Sequence, residues 1–95
     1  MSLFAFATIT PKPEHLDEAR AALENLLAPT RAEEGCLAFD LHEGEGTGRL
    51  HLCEVWADRA AFDWHHAQDY VQDVYRAYEA WLAEPVEIVF MRPVA

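Results

Sequence analysis

Cys36-Leu37-Ala38-Phe39-Asp40-Leu41-His42-Glu43, Gly44-Glu45-Gly46-Thr47-Gly48 and Arg49-Leu50-His51-Leu52-Cys53-Glu54-Val55-Trp56 run consecutively through the middle of the chain. The first and third stretches alternate with the period of two that a strand requires. The glycine-rich stretch between them is a hairpin signal. Matching the apolar faces sets Leu41 opposite Leu50, Phe39 opposite Leu52 and Leu37 opposite Glu54. The other face then holds Cys36, Ala38, Asp40 and His42 beside Arg49, His51, Cys53 and Val55.

On the N-terminal side of this hairpin, Leu16, Ala19, Leu23, Leu26 and Leu27 recur at three- and four-residue steps among charged residues. That spacing predicts an amphipathic helix over 14–32, entered through Pro11 and Pro13. Pro29 should kink it or tighten its last turn, and Gly35 should terminate it. Before it, residues 3–9 form an apolar strand. On the C-terminal side, Asp58 is a good N-cap for a short helix over 59–66. A second helical run over 69–82 carries Val71, Val74, Tyr78, Trp81 and Leu82 as its apolar stripe. Val86–Met91 is the last strand. The order β-α-β-β-α-β, with its second helix in two pieces, is the α+β, ferredoxin-like pattern.

The chain has 95 residues, which implies one domain over 1–95. Hydrophobic residues make up 52% of it, more than a small single core hides easily. The first and last strands are apolar on both faces, at Phe4, Phe6, Val89 and Met91 as well as at Leu3, Ala5, Ile9, Ile88 and Phe90. Helices cover one face only, so the other implies a partner sheet, most simply that of a second copy in a homodimer. Seven Lys and Arg against 17 Asp and Glu give a net charge of −10, which argues against nucleic-acid and anionic-membrane partners. No run is apolar enough to span a membrane, and the N-terminus reads as a strand, so the expectation is a cytoplasmic protein with Cys36 and Cys53 reduced. Asp40 facing His51, with His42 and Arg49 beside them, reads as a cross-strand ion pair and not as a metal site. No phosphate-binding, dinucleotide-binding, C-x-x-C or nucleophile-elbow motif occurs.

Thr30-Arg31-Ala32-Glu33-Glu34-Gly35-Cys36-Leu37-Ala38-Phe39 resembles the T-R-x-E-x-G-C-x-x-[YF] stretch of antibiotic biosynthesis monooxygenase domains. Glu54-Val55-Trp56-Ala57-Asp58, followed by Ala61-Phe62-Asp63-Trp64-His65, resembles their E-x-W-x-D … A-[LF]-x-x-H signature. The likeness spans about residues 3–92. It implies a dimeric α+β barrel of ferredoxin-like subunits. It also implies oxygenation of quinols, anthrones and related polyketide phenols by O2 with no cofactor and no metal. The haem-degrading branch of the family resembles an Asn–Trp–His set, of which only Trp64 has a counterpart. Val74 stands at the position of its His, and Ala7 and Thr8 stand near that of its Asn.

Cofactor-free oxygenation needs a dry aromatic pocket and a base that favours the deprotonated substrate. Glu54, on the core face of its strand, is the first candidate, with a pKa raised by burial. His65 follows on the next helix, and a Glu54–His65 hydrogen bond would orient the imidazole. Each also has a purely structural alternative, as a paired carboxylate and as packing between helix and sheet. His66 lies about 100° further round, on the solvated side of an ideal helix. Trp64 would stack on a planar substrate, and Tyr70 would hydrogen-bond its oxygen; by spacing, both fit the Trp and Tyr of polyketide-oxygenating relatives, with ordinary core or rim aromatics as the alternative. Trp56 completes the candidate aromatic contacts, with packing at the strand end as the alternative. The sequence thus points to a cofactor-independent monooxygenase acting with O2 on a small electron-rich aromatic. A non-catalytic, dimeric ligand-binding or stress-response module of the same fold is the alternative.

Overall fold

Alternation in the strand sequences and three-to-four periodicity in the helices set which faces meet. A computed structural model describes residues 1–95. The strands are β1 (Leu3–Ile9), β2 (Cys36–Glu43), β3 (Leu50–Trp56) and β4 (Glu87–Met91). The helices are α1 (Leu16–Arg31), α2 (Arg59–His66) and α3 (Asp69–Trp81), with a 3-10 turn at Pro13–His15 leading into α1. The four strands form one antiparallel sheet in the order β2-β3-β1-β4. This is the α+β, ferredoxin-like arrangement, and the helices lie on one face of the sheet.

That face is built from β1 and β3. Ala5, Ala7 and Ile9 alternate with half-buried Phe4, Phe6 and Thr8, and Leu50, Leu52, Glu54 and Trp56 alternate with His51, Cys53 and Val55. The buried apolar members of each set join Ala19, Leu23 and Leu26 of α1, Phe62 of α2 and Tyr78 of α3 in one core. Alanines on β1 let the helices approach the sheet closely. Trp56, with none of its surface exposed, is the largest side chain in that core. α1 runs through Pro29 to Arg31 and ends four residues before Gly35. Asp58 caps α2 as expected, its Oδ1 accepting from the Ala61 N–H at 2.8 Å.

The hairpin register differs from the expectation by two residues on one strand. Leu41 pairs with Leu52, Phe39 with Glu54 and Glu43 with Leu50. The turn sets this register, closing where the Gly44 N–H donates to the Arg49 carbonyl at 3.0 Å. At the far end of the hairpin a β-bulge falls between Cys36 and Ala38, so two β2 residues occupy one β3 step. Leu37, expected on the core face, is 58% exposed in that bulge. Cys36 instead pairs with Trp56 and packs against the core, off the face on which it was expected. The same shift takes Asp40 away from His51: Asp40 pairs with Cys53 and forms its ion pair with Arg31 at 3.1 Å. His42 stands opposite His51.

Candidate functional site

The segment between α1 and β2 packs closely against the start of α2. Gly35 accepts a hydrogen bond from the Ala57 N–H at 2.8 Å, and a methyl group placed on Gly35 would collide with the Ala61 side chain. This contact, and not helix termination, is what Gly35 provides. It brings Glu33, two residues earlier, beside the C-terminal turn of α2.

His65 on that turn is 3% exposed, and its Nδ1 lies 2.8 Å from Glu33 Oε2. The expected partner, Glu54, holds a different group. Glu54 Oε1 accepts from the Trp56 indole N–H at 2.9 Å. The Glu54–His65 hydrogen bond is therefore corrected to Glu33–His65. Successive same-face residues of a strand are two apart, which places Trp56 and not α2 within reach of the Glu54 carboxyl. A carboxylate accepts only, so the His65 Nδ1 donates and Nε2 is the nitrogen free to exchange a proton. The Tyr70 hydroxyl also donates to Glu33 Oε2, and Thr30 Oγ1 lies 3.3 Å from the same hydroxyl. Burial, with the bond to Glu33, pushes the Tyr70 phenol up to about 12. The Glu33 side chain is only 6% exposed, and its second oxygen, Oε1, is buried without a protein partner. Trp56 and Phe39 flank the His65 ring at 4.8 and 5.6 Å between centroids.

Between the sheet and the helices lies an almost closed, mostly apolar cavity of about 20 Å³. Glu54, His65 and His66 form its polar wall, and Phe39, Tyr75 and Tyr78 are its aromatic members. Burial raises the Glu54 carboxyl to about 7, against the opposing pull of the Trp56 N–H. Burial likewise lowers His66 to about 4, helped by neighbouring His65. His66 is thus half-buried on the cavity wall and not on the solvated side. The short α2 sits against both β3 and α3, so more than one of its faces is covered. Tyr75 is raised to about 12 by burial.

The remaining expected site residues do not converge here. Trp64 is 56% exposed and borders an open groove with Glu33, Glu34 and Asp58. Trp56 is packed into the core behind His65, with no surface for a substrate. Tyr70 meets His65 through Glu33 and lies beside the cavity without lining it. Glu33, His66 and Tyr75 are the site residues that sequence reasoning passed over. Glu33 stood in the quoted T-R-x-E stretch, so its signal was available.

Residues 2–77 match the family model described as antibiotic biosynthesis monooxygenase. The chain belongs to this family. Rv0793 of Mycobacterium tuberculosis is 32% identical over 87 residues, covering 92% of this chain and 86% of that protein. Its solved structure superposes with a TM-score of 0.93 over 100% of this chain and 97% of its own. PA3566 of Pseudomonas aeruginosa is 35% identical, with a TM-score of 0.92 over 99% of this chain and 95% of that one. A further solved structure, of an antibiotic biosynthesis monooxygenase, is 31% identical, with a TM-score of 0.89 over 98% of this chain and 99% of that one. Membership supports a monooxygenase-like role. No helix of this family member is long and apolar enough to cross a membrane.

Proposed function

We propose that the protein is a cofactor-independent monooxygenase that uses O2 on an electron-rich phenol, quinol or related aromatic. One observation carries this reading. A histidine held at Nδ1 by a buried carboxylate shares an apolar cavity wall with a carboxyl raised to about 7. A buried imidazole and a buried carboxyl on the wall of one dry space are what acid–base chemistry needs. Triplet O2 reacts slowly with closed-shell molecules, but a phenolate or carbanion can give it one electron. His65 takes the substrate proton at Nε2, and Glu33 faces the charge that forms on the ring. Recombination of the radical pair then makes a C–O bond. For a methylene between two aromatic rings, loss of water from the resulting peroxide leaves a carbonyl. One diaryl methylene and one O2 thus give one diaryl ketone and one water. Glu54, neutral below about pH 7, supplies the proton that leaves with the water oxygen, and the proton held on His65 restores it. In the same reading two copies pack their helix-free sheet faces together.

The size of the cavity favours a second reading, a ligand-binding module without turnover. A space of about 20 Å³ holds roughly one water and no aromatic ring. O2 uptake separates the two. Metal-free, flavin-free protein with a panel of quinols and anthrones should consume O2, and His65→Ala should lower the rate by roughly 100-fold. No uptake above the uncatalysed rate with any member of the panel would leave the binding module.

A further inference from the structure

The cavity is too small for its proposed substrate, so one of its walls must open. The central-strand side and its α2 corner cannot. Ala7, Ile9, Leu52 and Glu54 belong to central strands paired on both sides, and His65 is held by Glu33. The exception is the wall made by Tyr75 and Tyr78 of α3 with Val86, just before β4. These three residues also line a second space, an open groove of about 520 Å³ on the outer surface. Their side chains are therefore the partition between the buried cavity and solvent. The two rings pack edge to face, with centroids 5.1 Å apart. Neither phenol is held in place by a hydrogen bond to another side chain, unlike Tyr70, which Glu33 and Thr30 secure. Glu84 and Pro85, on the far bank of the groove, are exposed and lie outside both α3 and β4.

We propose that the Tyr75–Tyr78 ring pair is the door to the His65–Glu54 cavity, and that rotation of Tyr75 into the outer groove admits a flat apolar ring. The proposal rests on the cavity being the site. It deepens that reading by naming the residues that select the substrate for shape. An apolar cavity of about 150 Å³ takes a benzene-sized molecule. Displacing one phenol ring from the partition joins the cavity to the groove and supplies space of that order. The exposed groove at Trp64 shares no lining residue with the cavity, so it offers no comparable route.

Histidine modification by diethyl pyrocarbonate tests this without any turnover. The reagent attacks neutral imidazole, and His66, lowered to about 4, is neutral at pH 7. Peptide mass spectrometry gives the rates at His65 and His66, with half-exposed His15 as the internal reference for a folded chain. Tyr75→Ala should raise the His66 rate relative to His15 by roughly tenfold, because a rarely open state becomes the usual one. Tyr75→Phe should leave it at the wild-type value, since ring bulk and not the hydroxyl closes the door. If Tyr75→Ala does not fold, Tyr75→Leu, which keeps apolar bulk and loses the ring, should give a smaller rise. An unchanged His66 rate in folded Tyr75→Ala or Tyr75→Leu, or a larger rise in Trp64→Ala, would overturn the proposal. Oxygen uptake is read separately, so an opened door with no turnover would refute the oxygenase reading and leave the entrance standing.

Discussion

Glu33 and Glu54 are both buried carboxylates, and their hydrogen-bond partners separate their roles. Glu33 receives two donors, from His65 and Tyr70, on one oxygen; Glu54 receives only the Trp56 indole and is raised to about 7. Glu33→Gln should therefore cost activity through His65. Paired with His65→Ala, it should add little further loss, whereas two independent contributions would multiply. Titration gives a second test. Glu54 has a folded value of about 7 against 4.5 unperturbed, so between those pH values the folded chain holds the extra proton and stability falls as pH rises. For His66, about 4 against 6.5, the unfolded chain holds the extra proton, and stability falls as pH drops through that window. The two slopes oppose one another in the wild type. Urea unfolding of Glu54→Gln should show stability rising from pH 4.5 to 6.5. His66→Asn should show it falling from pH 4.5 to 7, by about 3 kcal/mol in all. A Glu54→Gln profile parallel to the wild type would refute the raised carboxyl. From the sequence, Glu54 and His65 could be placed at the sheet–helix junction because strand alternation and the Asp58 cap fix where each points. Their partners could not. The Glu33–His65 contact joins residues 32 apart through a loop, and no periodicity reports on that.

Element boundaries were legible wherever a local signal exists. Asp58 starts α2, and the alternation in β3 gives its buried face residue by residue. The hairpin register was not legible, because matching apolar faces assumes an unbroken ladder. The bulge at Leu37 leaves one residue unpaired, and the turn closes at Gly44–Arg49, two β2 residues beyond the His42–Arg49 pair that a simple match demands. Gly46 and Gly48 sit at φ of 72° and 69°, which explains the glycines of that turn. Gly35 is different, since its constraint is the proximity of Ala61 and not its backbone angle. Gly35→Ala should push the loop off α2. We expect a loss of about 1–3 kcal/mol, as for overpacked cores, and weakened coupling of Glu33 to His65. Thermal unfolding measures the first, and the NMR shift of the His65 Nδ1 proton the second. An unchanged melting temperature would show that the loop yields without cost. Asp58→Ala should cost about 1 kcal/mol from the lost cap alone, with the His65 signal unmoved.

At the scale of the whole molecule, one sheet face is covered and the other is not. Ala5, Ala7, Ile9, Leu50 and Leu52 lie under the helices and are nearly inaccessible. On the opposite face Val89 and Met91 are each 46% exposed, and Phe4, Phe6 and Val55 are half-buried only by one another and by the strands beside them. His51 stacks flat on Phe6, with centroids 5.1 Å apart and planes 14° from parallel, which extends the flat surface toward β2. Soluble monomers rarely leave large contiguous apolar faces open to water. A second copy of the same face is a self-complementary cover that needs no other gene product. Alternation made the two-sided character of β1 and β4 readable from the sequence, whereas the geometry of the contact has no sequence signature. Sedimentation at micromolar concentration should give a dimer. Phe6→Glu and Val89→Glu, which bury a charge in that face only if it is covered, should shift the protein toward monomer or precipitate it. Both substitutions lie on the far side of the sheet from the cavity and should leave the Glu33–His65 bond intact in any folded monomer. A soluble wild-type monomer at these concentrations, or variants that sediment like the wild type, would place the apolar face in solvent and remove the homodimer from the proposed function.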